Sequence, residues 1–583
     1  MKYWKNIVWL LLFLSLHLSD RFFPVSYWIF FAALLLASLT VISKREIRLT
    51  VNKGIIGAGL LFVSLILRFF FQGNLYGTST FYMLLAYWLL FFIWIIWFNQ
   101  GKSRIKVIAG IVVLTVAIEI VWGFGQLFGL IENTNEHFRM GGSFGNPGTY
   151  AGYLSVVSPL ILSLLLTYRR NRKAENLCYL LAGCLIFIVY LLVVSQSRGA
   201  WIAGFLGCLF VVNCHYALME KLKNGLHTTA RKIVAIVCVL LVACTTGYML
   251  YQYKSDSAFG RLLVWKVTSQ KSLSIFGDGI GSFEANYGKW QSAYFASGKG
   301  TEAERYVADY VTCAYNEFLE MSIEQGIFVL VIFLSLLFFA FRQKNKTKSS
   351  LFIGAKSSLV AITVLMLVSH PMKIPAVYLY FIFCLAVVLY GNGKCTPLKW
   401  GKWTIPVLGL LIALAGGYHL YGYSLLKKGQ KQVFTGQLDK GIENYRKAEP
   451  ILKNNGIFHF YYGSALTTKQ EYEAAVRELE LSVDKTSNPN GFIMLGNNYK
   501  ELGQLEKTKE NYLVAINMIP SKLYPKYLLV KVLIENQEIE EAEKWAKEIL
   551  ATKEKTPTTA AKEIKQEMEK LLMSNYKNEM PMD

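Results

Sequence analysis

The sequence sets a few cationic side chains at the ends of its apolar runs, and their types are those that grip phosphate. Arg198 stands in Ser195-Gln196-Ser197-Arg198-Gly199, between two apolar runs, and Arg261 and Lys266 lie close together in Gly260-Arg261-Leu262-Leu263-Val264-Trp265-Lys266. A guanidinium presents planar paired donors, and an ammonium adds a point charge. Two or three such groups converging on one pocket would suit a pyrophosphate. Arg198 taken alone is equally well explained as an interfacial arginine reaching lipid headgroups. The string Gly277-Asp278-Gly279-Ile280-Gly281-Ser282-Phe283 has the glycine spacing of a dinucleotide fingerprint. It lacks the flanking strand and helix that such a site needs, so that reading is rejected.

Other polar residues interrupt the apolar sequence at defined places. Gly142-Ser143-Phe144-Gly145-Asn146-Pro147 leads into an apolar run, which sets Phe144 and Asn146 beside backbone amides at a helix start. Glu119 and Gln126 fall on one face of the preceding apolar helix, where a site role and a buried helix–helix hydrogen bond are equally open. Further on come Ala314-Tyr315-Asn316-Glu317-Phe318-Leu319-Glu320 and Glu324-Gln325-Gly326. His137 and His370 are isolated, and no metal constellation, nucleophile elbow or phosphate-binding loop is present. No cofactor is therefore expected.

The elements that must position these residues are membrane helices. Of 583 residues, 54% are apolar, and they gather in runs such as Leu177–Val194 and Ile233–Tyr251, each long enough to span a bilayer as a helix. About thirteen spans are expected. Lys2 and Lys5 before the first run imitate a signal peptide, but no small-residue cleavage site precedes Asp20-Arg21, so this run is read as the first span. With the N-terminus inside, alternate loops are basic: Lys44, Arg45, Arg48 and Lys53; Lys102 to Lys106; Arg169 to Lys173; Lys221 to Lys232; Arg342 to Lys348; and Lys394 to Lys402. The opposite short loops hold at most one cation each, among them Arg21, Arg139, Arg198 and Lys373. That asymmetry predicts a segment of about residues 252–316, and everything after the last span, outside the cytoplasm. The net charge of +22 follows from these clusters rather than from a basic stripe among exposed aromatics, so no nucleic-acid partner is expected. The nine cysteines give no disulfide framework. A transporter is compatible with the topology, although no paired halves with matching broken helices are seen.

After about residue 424 the composition becomes mixed and rich in Lys and Glu. Gly429, Gly463 and Gly496 recur at near-constant spacing, with Val530 at the next equivalent place. Gly496, Tyr499, Gly503, Tyr512, Ala515 and Pro520 match the tetratricopeptide pattern, and Gly436, Tyr445 and Ala448 repeat it two units earlier. The expectation is an all-α chain: a polytopic helical bundle over residues 1–423, a tetratricopeptide solenoid over 424–556, and a helical or disordered tail over 557–583. Such a solenoid is either a passive spacer or a concave surface for a protein partner.

At these residues the chain resembles the O-antigen ligase, O-antigen polymerase and protein O-oligosaccharyltransferase superfamily. The resemblance rests on an ordered set: Phe144–Pro147, Ser197–Ala200, Gly260–Trp265, Gly277–Phe283 and Tyr315–Gly326, within about residues 105–345. It implies transfer of a glycan from undecaprenyl pyrophosphate to an acceptor hydroxyl at the outer face of a bacterial inner membrane. The acceptor would be lipid A–core, a protein side chain or a growing glycan. Arg198 and Arg261 would hold the pyrophosphate, with Tyr315, Asn316 and Glu317 at the reacting centre. Phe144, Asn146, Gln126, Lys266 and Gly279 would contact substrate. The departure is Tyr315, which stands where the family usually has a histidine. A phenol is a poor base at neutral pH, so either Glu317 or His370 takes that role, or positioning suffices, or activity is lost. In the last case the chain would be a membrane scaffold that uses its repeats to organise a complex.

Overall fold

The computed structural model describes residues 4–18, 23–42, 47–71, 76–101, 103–169, 174–225, 233, 245, 247, 249, 251–252, 255–344, 349–391 and 393–579. Most of the expected span over 233–251, the basic residues Lys44, Arg45, Lys102, Arg170, Arg172, Lys173, Arg231, Lys232, Lys346 and Lys348, and the last four residues lie outside the described residues.

Among the described residues the chain is all-α apart from one short strand pair. The first helices are α1 (Trp4–His17), α2 (Val25–Leu39), α3 (Lys53–Phe71), α4 (Thr78–Phe98), α5 (Ser103–Leu127), α6 (Pro147–Tyr168), α7 (Glu175–Ser195), α8 (Arg198–Tyr216) and α9 (Leu218–Gly225). Then come α10 (Ser255–Ser269), α11 (Ser282–Ala296), α12 (Glu302–Val307), α13 (Glu317–Glu324), α14 (Gly326–Arg342), α15 (Ser350–Val368), α16 (Pro375–Leu389) and α17 (Gly401–Phe434). Among the described residues, α4 to α8, α15 and α17 are long and apolar enough to cross a membrane, and α1, α2, α14 and α16 are shorter apolar helices. A helix satisfies its own backbone hydrogen bonds, which is what a hydrocarbon environment demands. Helix α7 turns Ile186, Val189 and Val193 outward, each at least 60% exposed. In water this would be an anomalous apolar patch, whereas in a bilayer it is a lipid-facing surface. Helix α16, by contrast, is buried along its length.

Helices α6, α8 and α15 pack closely through small residues. A Cβ at Gly207 would lie 2.7 Å from Pro159 and 2.9 Å from Ala361, so only glycine permits the approach. Contacts between loops sort the bundle into two faces. On one, β1 (Arg48–Val51) pairs antiparallel with β2 (Lys394–Pro397), joining two of the basic loops. On the other, the Gly77 amide donates to the Ile280 carbonyl at 2.9 Å, and Lys427 donates to the Phe23 carbonyl. This second face carries the repeats.

Helix α17 runs 34 residues without a break from the bundle into the first repeat. At 1.5 Å per residue it is about 50 Å long, well beyond a hydrocarbon core of about 30 Å. The change of composition near residue 424 therefore falls inside one helix. The repeat pairs continue as α18 (Leu438–Leu452), α19 (Gly456–Thr468), α20 (Tyr472–Lys485), α21 (Pro489–Glu501), α22 (Leu505–Met518), α23 (Leu523–Glu535) and α24 (Ile539–Ala551), closed by α25 (Thr559–Glu579). Each unit solves the same packing problem. A Cβ at Gly429 would meet Tyr445 at 2.5 Å, one at Gly463 would meet Leu479 at 2.7 Å, and one at Gly496 would meet Tyr512 at 2.5 Å. In the last unit the small and large partners are exchanged, with Val530 and Ala546 both fully buried. The turn inside each unit is left-handed at Gly436, Gln470, Gly503 and Gln537.

Candidate active site at the repeat-side end of the bundle

The site is assembled where the 252–316 segment meets the C-terminal end of α15. Two glycines set the approach. Gly277 and Gly326 both have left-handed backbones, and a Cβ on Gly326 would lie 2.3 Å from the Ile275 carbonyl. The segment can thus lie flat against the turn between α13 and α14, where the Asp278 amide donates to the Ile323 carbonyl at 2.8 Å. Gly279 donates its amide to the Glu324 carbonyl at 3.0 Å, so its role here is to dock the segment. Arg68, at the end of α3, seals the same turn by donating to the carbonyls of Phe276, Glu324 and Gln325.

Arg261, on α10, donates to the Val368 carbonyl at the end of α15, where the helix dipole favours a cation. Its guanidinium lies 5.1 Å from the centre of the Tyr315 ring. Arg198 opens α8 and donates to the Tyr251 carbonyl at 3.4 Å. The next residue, Gly199, packs on Val368, so both arginines border the same end of α15. Burial, and the like charge of Arg198, pull the Arg261 pKa below its ordinary value, while the neighbouring Tyr315 opposes that shift. A cavity of about 180 Å³ opens beside Arg261 and Tyr315.

Tyr315 has φ +51°, a strained conformation for a side chain of this size. Its ring meets the His370 ring edge-on, with centroids 5.6 Å apart. Burial raises the phenol to about 12, so it remains protonated at neutral pH. Burial, helped by Lys373 and Arg261, lowers His370 to about 4, so the imidazole is neutral. Its Nδ1 is buried without a hydrogen-bond partner among the described residues. Asn316 caps α13, accepting from the amides of Phe318 and Leu319 and donating to the Leu367 carbonyl at 3.2 Å.

Behind these residues lies a buried charge cluster. Glu317 accepts from the Met372 amide at 2.8 Å, and Glu320 takes an ion pair from Lys373 at 2.7 Å. Glu324 accepts from the Phe283 amide at 3.4 Å. Burial first, then Glu320, pushes Glu317 and Glu324 well above the usual carboxylate range. The carboxylates around Lys373, Glu320 and Glu324 foremost, outweigh its burial and hold its pKa above the ordinary value.

The remaining expected site residues are placed elsewhere. Lys266 is five residues beyond Arg261, about 140° further round the helix. Its ammonium pairs with Glu304 at 2.7 Å and lies over the Tyr294 ring, so it does not join Arg261. Gln126 clamps the Gly141–Gly142 backbone, accepting from both amides at 2.9 and 2.8 Å and donating to the Gly142 carbonyl at 3.0 Å. Glu119 ties the same turn to α1, accepting from Ser143 and meeting His17 at 2.9 Å. Phe144 is buried among His17, Tyr150 and Tyr153, and Asn146 caps α6, accepting from the Gly148 amide at 2.7 Å. These residues shape a rigid turn, and no described contact joins that turn to the arginines.

Residues 183–334 match the family model described as O-Antigen ligase. The chain carries an O-antigen ligase domain. That domain and the apolar helices make it a multi-pass membrane protein with a glycosyltransferase-like function. The match ends before Val368, His370 and Lys373, which contact Arg261, Tyr315 and Glu320 within it. No curated protein matches the chain. Solved structures resembling it are helical-repeat proteins. MamA from Desulfovibrio magneticus RS-1 is 18% identical over 26% of this chain and 76% of its own, with TM-score 0.21. The Cut9–Hcn1 hetero-tetramer of the APC/C is 11% identical over 70% and 96%, with TM-score 0.24. Yeast Tom70 is 10% identical over 73% and 97%, with TM-score 0.21.

Proposed function

We propose that the chain transfers a glycan from undecaprenyl pyrophosphate to an acceptor hydroxyl at the outer face of a bacterial inner membrane. The observation that carries this reading is the pairing of Arg198 and Arg261 across the end of α15, beside a Tyr315–His370 ring pair, with both arginines and Tyr315 within the residues matched to the ligase family. In the reaction the acceptor oxygen bonds to the anomeric carbon as that carbon's bond to the pyrophosphate oxygen breaks. The bonding electrons depart with the pyrophosphate. Arg198 and Arg261 stabilise the charge that grows there, which is electrostatic catalysis by donors already in place.

The acceptor proton goes to His370. Tyr315 cannot take it, since its phenol is held protonated, but its hydroxyl can orient the acceptor. The imidazole is neutral with Nδ1 unpartnered, and an arriving pyrophosphate anion raises its basicity by opposing the field of Arg261 and Lys373. The acceptor is macromolecular or glycan in nature, and the repeats offer a surface for a protein partner.

The test is glycan transfer in a deletion strain with variants at matched protein levels. Arg198→Ala and Arg261→Ala are each expected to lose about 10²–10³-fold, and His370→Ala about 10²-fold or more. Parental transfer by both arginine variants would reject the mechanism and favour a scaffold.

A further inference from the structure

A larger cavity, about 410 Å³, is bordered by Met372 and Lys373 of the turn that follows His370. It falls in the usual size range of small-molecule sites, about 300–1,000 Å³. Three parts of the chain wall it: the bundle with Tyr82, His419 and Tyr423; the 252–316 segment with Glu284; and the first repeats with Asn455 and Ile457. Lys373 reaches into it from the turn. The cavity exists because the repeats dock on α11, where the Gly288 amide donates to Ser487 Oγ at 2.9 Å and Gln291 donates to the Met518 carbonyl.

Its lining mixes aromatic faces with unused polar groups. Tyr82, His419 and Tyr423 form an edge-to-face series with centroid separations of 5.9 and 5.3 Å. His419 Nε2 is buried and makes no hydrogen bond of ordinary geometry among the described residues, the Ile451 backbone being the one polar group that acts on its ring. The Glu284 backbone is fixed by Ser487, yet its half-buried carboxyl makes no hydrogen bond or ion pair among the described residues. An acyl chain would leave these groups unsatisfied in a desolvated wall. A phosphate would find the two lysines of the lining, Lys373 and Lys485, already paired with Glu320 and Asp484, and would face the uncompensated carboxyl of Glu284. A pyranose meets both demands, because its C–H face packs on aromatic rings while its hydroxyls donate to a carboxylate and an imidazole.

We propose that this cavity, closed by the repeats, is a subsite for a pyranose unit of the glycan substrates. The choice of occupant rests on the glycan-transfer reading above. The Met372 amide is held by Glu317, so the wall of this subsite and the His370 side of the turn are one rigid piece.

The test uses the full chain in lipid nanodiscs with methyl glycosides of glucose, galactose, rhamnose and N-acetylglucosamine as probes, read by saturation-transfer NMR. At least one probe should give signal. Ile457→Trp, which fills the cavity from its exposed repeat side, should reduce the signal about tenfold or more. Glu284→Gln, nearly isosteric and so safe for folding, should reduce it several-fold, and Arg261→Ala should leave it unchanged. In transfer assays, a raised KM for donor or for acceptor in Ile457→Trp assigns the bound sugar to that substrate. No signal from any probe, or parental signal in both cavity variants, overturns the subsite. Parental transfer by Arg261→Ala instead overturns the glycan-transfer reading, whatever the probes do.

Discussion

The repeats and the junction beside them are held together in opposite ways. In the repeats every packing partner lies a short, fixed distance along the chain, as Gly429 with Tyr445, Gly463 with Leu479 and Gly496 with Tyr512 show. At the junction the partners come from far apart: Arg261 with Val368, Tyr315 with His370, Glu320 with Lys373, Gly288 with Ser487. A near-neighbour array builds its stability locally and additively. A junction of distant segments depends on the whole bundle closing correctly, and places charge where that closure excludes water. The comparison teaches where damage should spread: local changes in the repeats should stay local, while single changes at the junction should disturb chemistry and assembly together.

The largest expected effect lies at the charge centre of the junction. Arg261→Ala should reduce glycan transfer about 10²–10³-fold, while hydrogen exchange across α18 to α24 stays parental. Exchange that rises throughout the repeats would break the comparison. Next is Lys373→Met, which strips the buried carboxylates of their counter-ion. Lys373 keeps 36% of its side-chain surface accessible, since it faces the cavity, so the cost is put at about 1–3 kcal/mol rather than that of a fully buried pair. This centre also sets a pH dependence. Glu317 and Glu324 have folded pKa values above their unfolded ones, so the folded state binds more protons. Their contribution is full below the ordinary carboxylate range and is lost as pH rises toward neutrality. Glu317→Gln should therefore flatten the fall in melting temperature over that window, and an unchanged slope would place the proton elsewhere. Gly288→Val comes third. Its Cβ would lie 2.7 Å from the Ser487 carbonyl, so the repeats must shift off α11 at a cost of about 1–3 kcal/mol, read as protease cleavage near the loop.

What the sequence made legible follows the same division. The repeats were readable because the glycine and aromatic positions recur, and the turn residues Gly436 and Gly503 fall in step with them. The apolar helices were readable because hydrocarbon permits little else. The junction was readable only in part. Arg198, Arg261 and Tyr315 stood out by motif, but sequence proximity suggested Lys266 beside Arg261, and helical rotation turns it to Glu304. Gln126 and Asn146 have the residue types of a binding site, and their hydrogen bonds are spent on turn and cap geometry. The meeting of His370 with Tyr315 left no trace in spacing, because two apolar helices, α14 and α15, separate them. One signal was available and unused: Glu317, Glu320 and Glu324 recur at helical spacing, putting three carboxylates on one face and calling for a cation such as Lys373.

The smallest expected effect tests the repeat side of the comparison. The turn within each unit is left-handed, with φ +79° at Gly436, +64° at Gln470, +70° at Gly503 and +61° at Gln537. Two units thus meet the same backbone demand with glycine and two with glutamine. A side chain in that conformation costs about 1 kcal/mol or more, whereas glycine adds unfolded-state entropy worth about 0.4–1 kcal/mol in the other direction. Gln470→Gly should therefore stabilise its unit by at most about 1 kcal/mol, and Gly503→Gln should destabilise its unit by a similar amount. Hydrogen exchange on the full chain resolves each unit separately. The change should be confined to α19 and α20 for the first variant and to α21 and α22 for the second, fading within one neighbouring unit. If either substitution shifts exchange across all the repeats, or at Tyr315 and α13, then the array is coupled to the junction as one cooperative body. The unbroken helix α17 would be the strut that carries that coupling.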